Sequence, residues 1–145
     1  MDATRRDALT LAAAPFLLAA GPPAGPPGAV RILRIFAGAD GVSHGERVAL
    51  AAAAKPLPVA SVLAAGFVPA VEGWHHAPFK TFTINLAGRI EAETSDGQRH
   101  AIGPGDLVYL EDFTGRGHLT RLLTPGASLY LRMADDFDLL AWARG

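Results

Sequence analysis

Three of the five histidines lie in two short stretches of the chain, and histidine binds metals or moves protons near neutral pH. Trp74, His75 and His76 stand directly before a strand-like run at residues 79–87. His118 ends a glycine-rich turn about forty residues later. Imidazoles carried by strands that are distant in sequence can meet at one point of a small β-fold, so this spacing predicts one metal or ligand site. The chain has no cysteine, so a metal there would take histidine, carboxylate or water ligands.

Two neighbouring acids precede the turn that leads to His118. Glu111 and Asp112 are adjacent, and adjacent strand residues point to opposite faces, so we expect one of them to point inward. That acid would be a substitute metal ligand, a partner that orients His118 or a general base. The other interpretation is a solvated acid in a turn. His75 and His76 are also adjacent and would point to opposite faces of a regular strand, so both can reach one site only if the backbone bends there.

The run at residues 79–87 alternates between an apolar and a polar face. The apolar face carries Phe82, Ile84 and Leu86, and the polar face carries Thr81, Thr83 and Asn85. The polar face is either a pocket wall, with Thr81 and Thr83 in it, or a solvent-facing surface. Trp74 would either stack on a ligand or close the mouth of the pocket.

Composition limits the class of protein. The chain has 145 residues, of which 50% are hydrophobic, enough for a single domain with its own core. The formal net charge is −1 and the 13 Lys and Arg residues do not cluster, so no nucleic-acid partner is expected. The absence of cysteine excludes disulfides.

Residues 1–28 have the pattern of an export signal and a linker. Arg5 and Arg6 precede a mostly apolar stretch at residues 8–20, which indicates the twin-arginine type of signal, and a Gly/Pro-rich linker follows at residues 21–28. We therefore expect a periplasmic or secreted protein, and a cytoplasmic one if this segment is only a disordered or amphipathic tail. The apolar stretch is shorter than the roughly 17–25 residues of a membrane helix, so no stable membrane span is expected unless the signal remains uncleaved.

The remainder, residues 29–145, reads as one all-β domain. Short strand-like segments alternate with turns rich in Gly, Pro and Asp, which is typical of a sandwich or barrel. The predicted strands are residues 30–36, 47–52, 61–68, 79–87, 89–94, 99–102, 107–110, 118–123 and 128–133. A short C-terminal helical turn is expected, capped by Asp135 or Asp136, with Trp142 pinning it to the domain.

Two stretches of the chain together resemble the cupins, a family of small double-stranded β-helix, jelly-roll-like barrels. Residues 74–91, with histidines before a strand that ends in Gly88, resemble the first cupin motif. Residues 103–110, Gly-Pro-Gly-Asp and a strand, followed by Gly115 to His118, resemble the second motif. The resemblance implies that residues 29–145 form a single cupin domain.

The resemblance also implies a metal site, from which this chain departs. The family pattern has two histidines with one residue between them, then a glutamate, and then a final histidine from the second motif. Counted back from Gly88, the glutamate position falls at Thr81 and the first histidine position at Trp74, whereas His118 is in place. The candidate ligands are therefore His75, His76 and His118, for a divalent transition metal such as Zn, Fe, Mn, Cu or Ni.

Two functions follow from the resemblance, and the sequence leaves enzymatic activity open. One is a metal-dependent enzyme that acts on a small organic molecule, of the dioxygenase, isomerase or lyase type, with Glu111 or Asp112 as a candidate catalytic group. The alternative is a non-catalytic binding or sensor barrel without metal. Apolar segments at residues 49–54 and 57–68 also raise the hypothesis of a homodimer.

Overall fold

The computed structural model describes residues 29–50 and 55–144 of the chain, which contain ten strands and one short helix. The predicted export signal and linker at residues 1–28 lie outside the described residues, as do residues 51–54. The strands are β1 Val30–Ala37, β2 Ser43–Leu50, β3 Val59–Phe67, β4 Ala70–His75, β5 Thr81–Ala87, β6 Ile90–Thr94, β7 Arg99–Ile102, β8 Leu107–Glu111, β9 His118–Leu122 and β10 Gly126–Met133. The helix is α1 Leu139–Arg144.

The strands form two sheets. The larger sheet has the order β2-β1-β8-β5-β10-β3, and the smaller one has the order β4-β9-β6-β7. Strand β1 pairs with β8 in parallel, and the other pairings are antiparallel. The all-β class is confirmed. Within the described residues the pairing gives two separate sheets rather than one closed barrel.

Two apolar layers pack against the larger sheet, one on each of its faces. The layer under the C-terminal segment contains Ile32, Phe82, Tyr109, Met133, Phe137 and Leu139. The layer between the two sheets contains Leu33, Ile35, Ile90, Ala92, Ile102 and Val108. Successive strand residues alternate between faces, so Ile32 and Leu33 are both buried but belong to different layers.

The C-terminal helix covers the outer face of the larger sheet, as expected, but its cap differs from the prediction. Asp138, rather than Asp135 or Asp136, accepts a hydrogen bond from the N–H of Ala141 at 2.9 Å. The reason is that the chain first makes a separate turn, in which the N–H of Phe137 donates to the carbonyl of Ala134 at 3.0 Å. Trp142 pins the helix by donating from Nε1 to the carbonyl of Pro56 at 3.0 Å.

Most predicted strands are present, and the differences have local causes. Strand β7 has the predicted bounds, whereas β2 begins at Ser43 instead of residue 47. Its first four residues are Ser, His, Gly and Glu, which have weak β propensity, but they pair with residues 34–37, the last four of β1. Strand β4 was not predicted, because a β-bulge between Glu72 and His75 interrupts its two-residue alternation.

Ser43 joins three turns at one end of the two sheets. This side chain is fully buried, and its hydroxyl donates to the carbonyl of Gly117 at 2.7 Å. The N–H of Ser95 donates to the same hydroxyl, also at 2.7 Å. Gly117 precedes His118, so these bonds fix the backbone that leads into β9.

In residues 29–50 and 55–144 the structure has no helix that is both long and apolar enough to cross a membrane.

Candidate functional site

A cavity of about 420 Å³ lies between the two sheets and is the candidate functional site. The exposed lining residues lie on or near β3 and β4, which are edge strands of the two sheets, and they are Ser61, Leu63, Glu72, Pro78 and Phe79. The cavity therefore opens between these two edges, and we call this opening the mouth. Its volume is in the range of small-molecule sites, about 300–1,000 Å³.

The cavity lining is divided into an apolar and a polar part. Strands β1, β6, β7 and β8 contribute apolar side chains alone, which are Ile35, Ile90, Ala92, Ile102, Val108 and Leu110. Further apolar lining comes from Leu63, Leu122 and residues 77–79. Strands β3, β4, β5, β9 and β10 contribute the polar side chains, which are Ser61, Glu72, His75, Thr81, Thr83, His118, Thr120, Tyr130 and Arg132. A mostly apolar wall with a few convergent polar groups is typical of a site that orients a small ligand.

His118 and Asp112 form a buried pair at this cavity. Asp112 continues the inward-facing side of β8 after Val108 and Leu110, and its Oδ2 lies 2.6 Å from Nδ1 of His118. Asp112 is fully buried and His118 is 3% exposed. A carboxylate only accepts hydrogen bonds, so Nδ1 carries the proton, and Nε2 of a neutral His118 has a free lone pair.

Glu111 points in the opposite direction. It follows Tyr109 on the outer face of β8 and makes an ion pair with Arg34, which also binds Glu46 at 2.6 Å. The expectation that one of the two adjacent acids points inward is confirmed, and the acid is Asp112. Glu111 is held in a salt bridge away from the cavity.

The bulge in β4 brings His75 to the cavity. Glu72 pairs with Thr120 and His75 with His118, so three steps along β4 match two along β9. Both Glu72 and His75 therefore line the cavity, which regular alternation would forbid. The imidazole centroids of His75 and His118 are 4.4 Å apart. Nδ1 of His75 donates to the carbonyl of Gly73 at 2.6 Å.

His76 and Trp74 lie outside the cavity. His76 is exposed, and its Nε2 donates to the carbonyl of Gly115 at 2.5 Å. The guanidinium of Arg116 lies 4.0 Å above the ring of Trp74. The backbone does bend in this region, which is what a site containing both His75 and His76 would require. The bend instead brings Glu72 and His75 to the cavity and leaves His76 outside it.

Thr81 and Thr83 line the cavity on the larger sheet, and Phe82 between them packs in the outer layer. Thr81 donates to the carbonyl of Phe79 at 3.0 Å. Thr83 is 8% exposed, and its hydroxyl has no hydrogen-bond partner among the described residues. A buried hydroxyl without a partner costs free energy, so this group is available to a bound molecule.

The metal site implied by the cupin resemblance does not fit the described side chains. The cavity brings together two imidazoles, from His75 and His118, and no group of three or more His, Asp or Glu residues with metal-binding geometry occurs in the described ranges. The family's glutamate position is Thr81, whose hydroxyl is a poor substitute for a carboxylate. A site with three histidines and one glutamate is therefore not formed.

Five polar residues of the cavity were missed by the sequence analysis. They are Ser61, Glu72, Thr120, Tyr130 and Arg132. The alternation of β10 and the shared parity of Thr120 with His118 could have indicated three of them. Glu72 could not be found in this way, since its inward direction depends on the bulge in β4.

A comparison with known protein families found no match, and a comparison with curated proteins found no similar sequence.

Proposed function

We propose that this protein binds a small organic molecule in the cavity between its sheets, without a metal. The observation that carries this proposal is the combination of an apolar cavity of about 420 Å³ with a buried, fixed imidazole and a hydroxyl that lacks a partner. His118 and Thr83 supply these two polar groups. Together they can orient a ligand whose apolar part fills the region around Ala92 and Val108.

The Asp112–His118 pair gives the site a defined hydrogen-bonding character. Asp112 fixes the tautomer and the ring orientation of His118, so Nε2 accepts a hydrogen bond when the imidazole is neutral. A group of this kind can anchor a ligand hydroxyl or receive a proton from it. The site is therefore able to support binding alone or acid–base chemistry on the bound molecule.

Filling the cavity tests this proposal. Ala92 is 3% exposed and lines the cavity, so Ala92→Leu puts its added atoms into the ligand space. We expect 3-phenylpropan-1-ol to raise the melting temperature of the wild type, because a ligand at about 100 times its Kd adds about 2.7 kcal/mol of stability. In the Ala92→Leu variant this rise should be lost.

The control is Ala101→Leu, an equal enlargement at an exposed position of β7 outside the cavity. It should keep the full ligand-induced rise, and chelation with EDTA should leave the wild-type rise unchanged. An undiminished rise in Ala92→Leu would show that the cavity is not the binding site.

The second candidate function is the metal-dependent enzyme, of dioxygenase, isomerase or lyase type. One observation favours it: His75 and His118 both donate from Nδ1, to Gly73 and to Asp112, which leaves both Nε2 atoms free of protons in the neutral rings. Metal-binding histidines usually have this second hydrogen bond. The remaining ligands would come from solvent or substrate.

Elemental analysis of protein purified without chelator separates the two candidates. The metal-dependent enzyme requires about one transition metal per chain, lost in His118→Ala and retained in His44→Ala, whose imidazole lies at the β1–β2 end against Asp40 and Asp96. We expect no stoichiometric metal in either variant or in the wild type. A stoichiometric metal that depends on His118 would overturn the metal-free proposal.

Three further predictions from the sequence stay predictions. The two-sheet fold is consistent with a cupin domain, and the cupin assignment rests on the two motifs around His75 and His118. Export to the periplasm rests on Arg5 and Arg6 in the segment outside the described residues. A homodimer rests on apolar residues of edge strand β3, where Val62 and Leu63 are exposed.

A further inference from the structure

The charged side chains of the cavity lie at its mouth, whereas most of its buried lining is apolar. Strands β1, β6, β7 and β8 supply buried apolar side chains to this lining, among them Ile35, Ile102 and Val108. The charged side chains lie at the mouth, on β4 and β10. A ligand that matches this arrangement has an apolar body that enters first and a polar head that remains near the mouth.

Arg132 is the cation of the mouth, and it is held in place. Its guanidinium carbon lies 3.8 Å from the centroid of the Phe79 ring, and both side chains line the cavity. A guanidinium that is stacked on an aromatic ring keeps its N–H donors free at the edge. Among the described residues its ionic partner is Asp135, at 3.8 Å, which is 92% exposed. An exposed pair at that distance contributes little, so the donors of Arg132 stay available.

Glu72 is the anion of the mouth, and Tyr130 lines the same cavity. Burial, and after it the charge of Glu72, raises the pKa of the Tyr130 phenol, so this hydroxyl stays protonated near Glu72. Tyr130 and Glu72 both line the cavity. Among the described residues the one ionic partner of Arg132 is the distant, exposed Asp135, so Arg132 is the charged group of the mouth that is available to a bound anion.

We propose that the bound molecule is a small amphiphile with one carboxylate, which Arg132 binds at the mouth while the apolar body lies against Ile35, Ala92 and Val108. This inference rests on the proposed function and names its ligand class. Arginine suits a carboxylate because two parallel N–H groups match its two oxygens. The unpartnered hydroxyl of Thr83, which lies opposite Tyr130 and two register positions from Arg132 on the neighbouring strand, is a further donor toward the ligand.

Three probes with one body and different heads test the ligand class. They are 3-phenylpropanoate, 3-phenylpropan-1-ol and 3-phenylpropan-1-amine, titrated at pH 7.5 into the full-length protein by calorimetry. We expect the acid to bind about tenfold tighter than the alcohol, and the amine to bind most weakly, because a hydrogen-bonded charge adds about this much.

Two charge variants give opposite expected results. Arg132→Gln should weaken binding of the acid about tenfold and leave the alcohol within about twofold. Glu72→Gln should strengthen binding of the acid, because it removes a like charge from the mouth. The matched control, Arg31→Gln, removes an exposed arginine of β1 that is outside the cavity, and it should change neither affinity. Circular dichroism checks that each variant is folded, and Glu72→Gln gives an independent reading if Arg132→Gln is not.

The outcomes separate this inference from the proposed function. Equal affinities for acid, alcohol and amine, all lost in Ala92→Leu, would keep the binding function and overturn the carboxylate class. An amine that binds tighter than the acid, or an Arg132→Gln variant that weakens acid and alcohol equally, would also overturn the carboxylate class. If none of the three probes binds, both proposals are overturned.

Discussion

Replacing Gly117 by alanine is expected to destabilise the protein by about 3 kcal/mol or more, since two costs combine at this position. Gly117 has a φ of 75°, a left-handed conformation that costs an L-residue roughly 1–2 kcal/mol. An added Cβ would also overlap the backbone carbonyl of His75. That carbonyl belongs to β4, which pairs with β9 at this point, so the overlap is relieved only by moving the two strands apart. Urea unfolding with linear extrapolation measures the difference.

The matched control is Gly97→Ala. Gly97 has a φ of 88°, but a Cβ there meets no atom within 4 Å. This variant should therefore carry only the conformational cost, about 1–2 kcal/mol. A Gly117→Ala variant no less stable than Gly97→Ala would show that β4 and β9 can separate near His75 at no cost, and would remove the argument that this backbone is fixed.

Local sequence patterns predicted much of the fold. The alternation of Phe82, Ile84 and Leu86 with Thr81, Thr83 and Asn85 predicted β5 and its end, although the strand begins at Thr81 instead of residue 79. Turn residues such as Gly97 and Gly105, both with positive φ, bound the strands around them. These signals depend on residues that are neighbours in the chain, so the sequence alone contains them. The pairing of β1 with the distant β8 has no such local signal.

The candidate site was predicted only in part, because its geometry depends on contacts that are not local. Which of Glu111 and Asp112 points inward depends on which face of β8 lies against the smaller sheet, the face that carries Val108. Whether His75 or His76 reaches the cavity depends on a bulge in β4. The same bulge disrupts the alternation by which β4 could have been predicted. Arg132 reaches the mouth because β10 pairs with β5, and this non-local pairing brings its guanidinium to Phe79.

The second large effect is expected at the buried pair of Asp112 and His118. Truncation of one partner leaves the other without its hydrogen bond in a buried place, where breaking such a pair costs about 3–5 kcal/mol. We therefore expect Asp112→Ala and His118→Ala each to lower the free energy of unfolding by several kcal/mol. The double variant should lose less than the sum of the two, with a coupling energy of about 1.5–3 kcal/mol.

The surface pair Arg132–Asp135 is the control for this cycle. Its side chains are 42% and 92% exposed, so Asp135→Ala should change stability by less than about 0.5 kcal/mol. A coupling energy between Asp112 and His118 of less than about 0.5 kcal/mol would mean that the carboxylate does not hold the imidazole.

The same pair has a spectroscopic signature that a purely structural contact would not give. Asp112 accepts from Nδ1 of His118, so nitrogen-15 chemical shifts of the neutral ring should report a proton on Nδ1 in the wild type. Loss of that preference in Asp112→Ala, in protein still folded by circular dichroism, would show that Asp112 sets the tautomer. A fixed tautomer presents the lone pair of Nε2 to the cavity, and both proposed functions need that lone pair. Unchanged shifts in Asp112→Ala would show that the ring is oriented by its other neighbours, His75 among them.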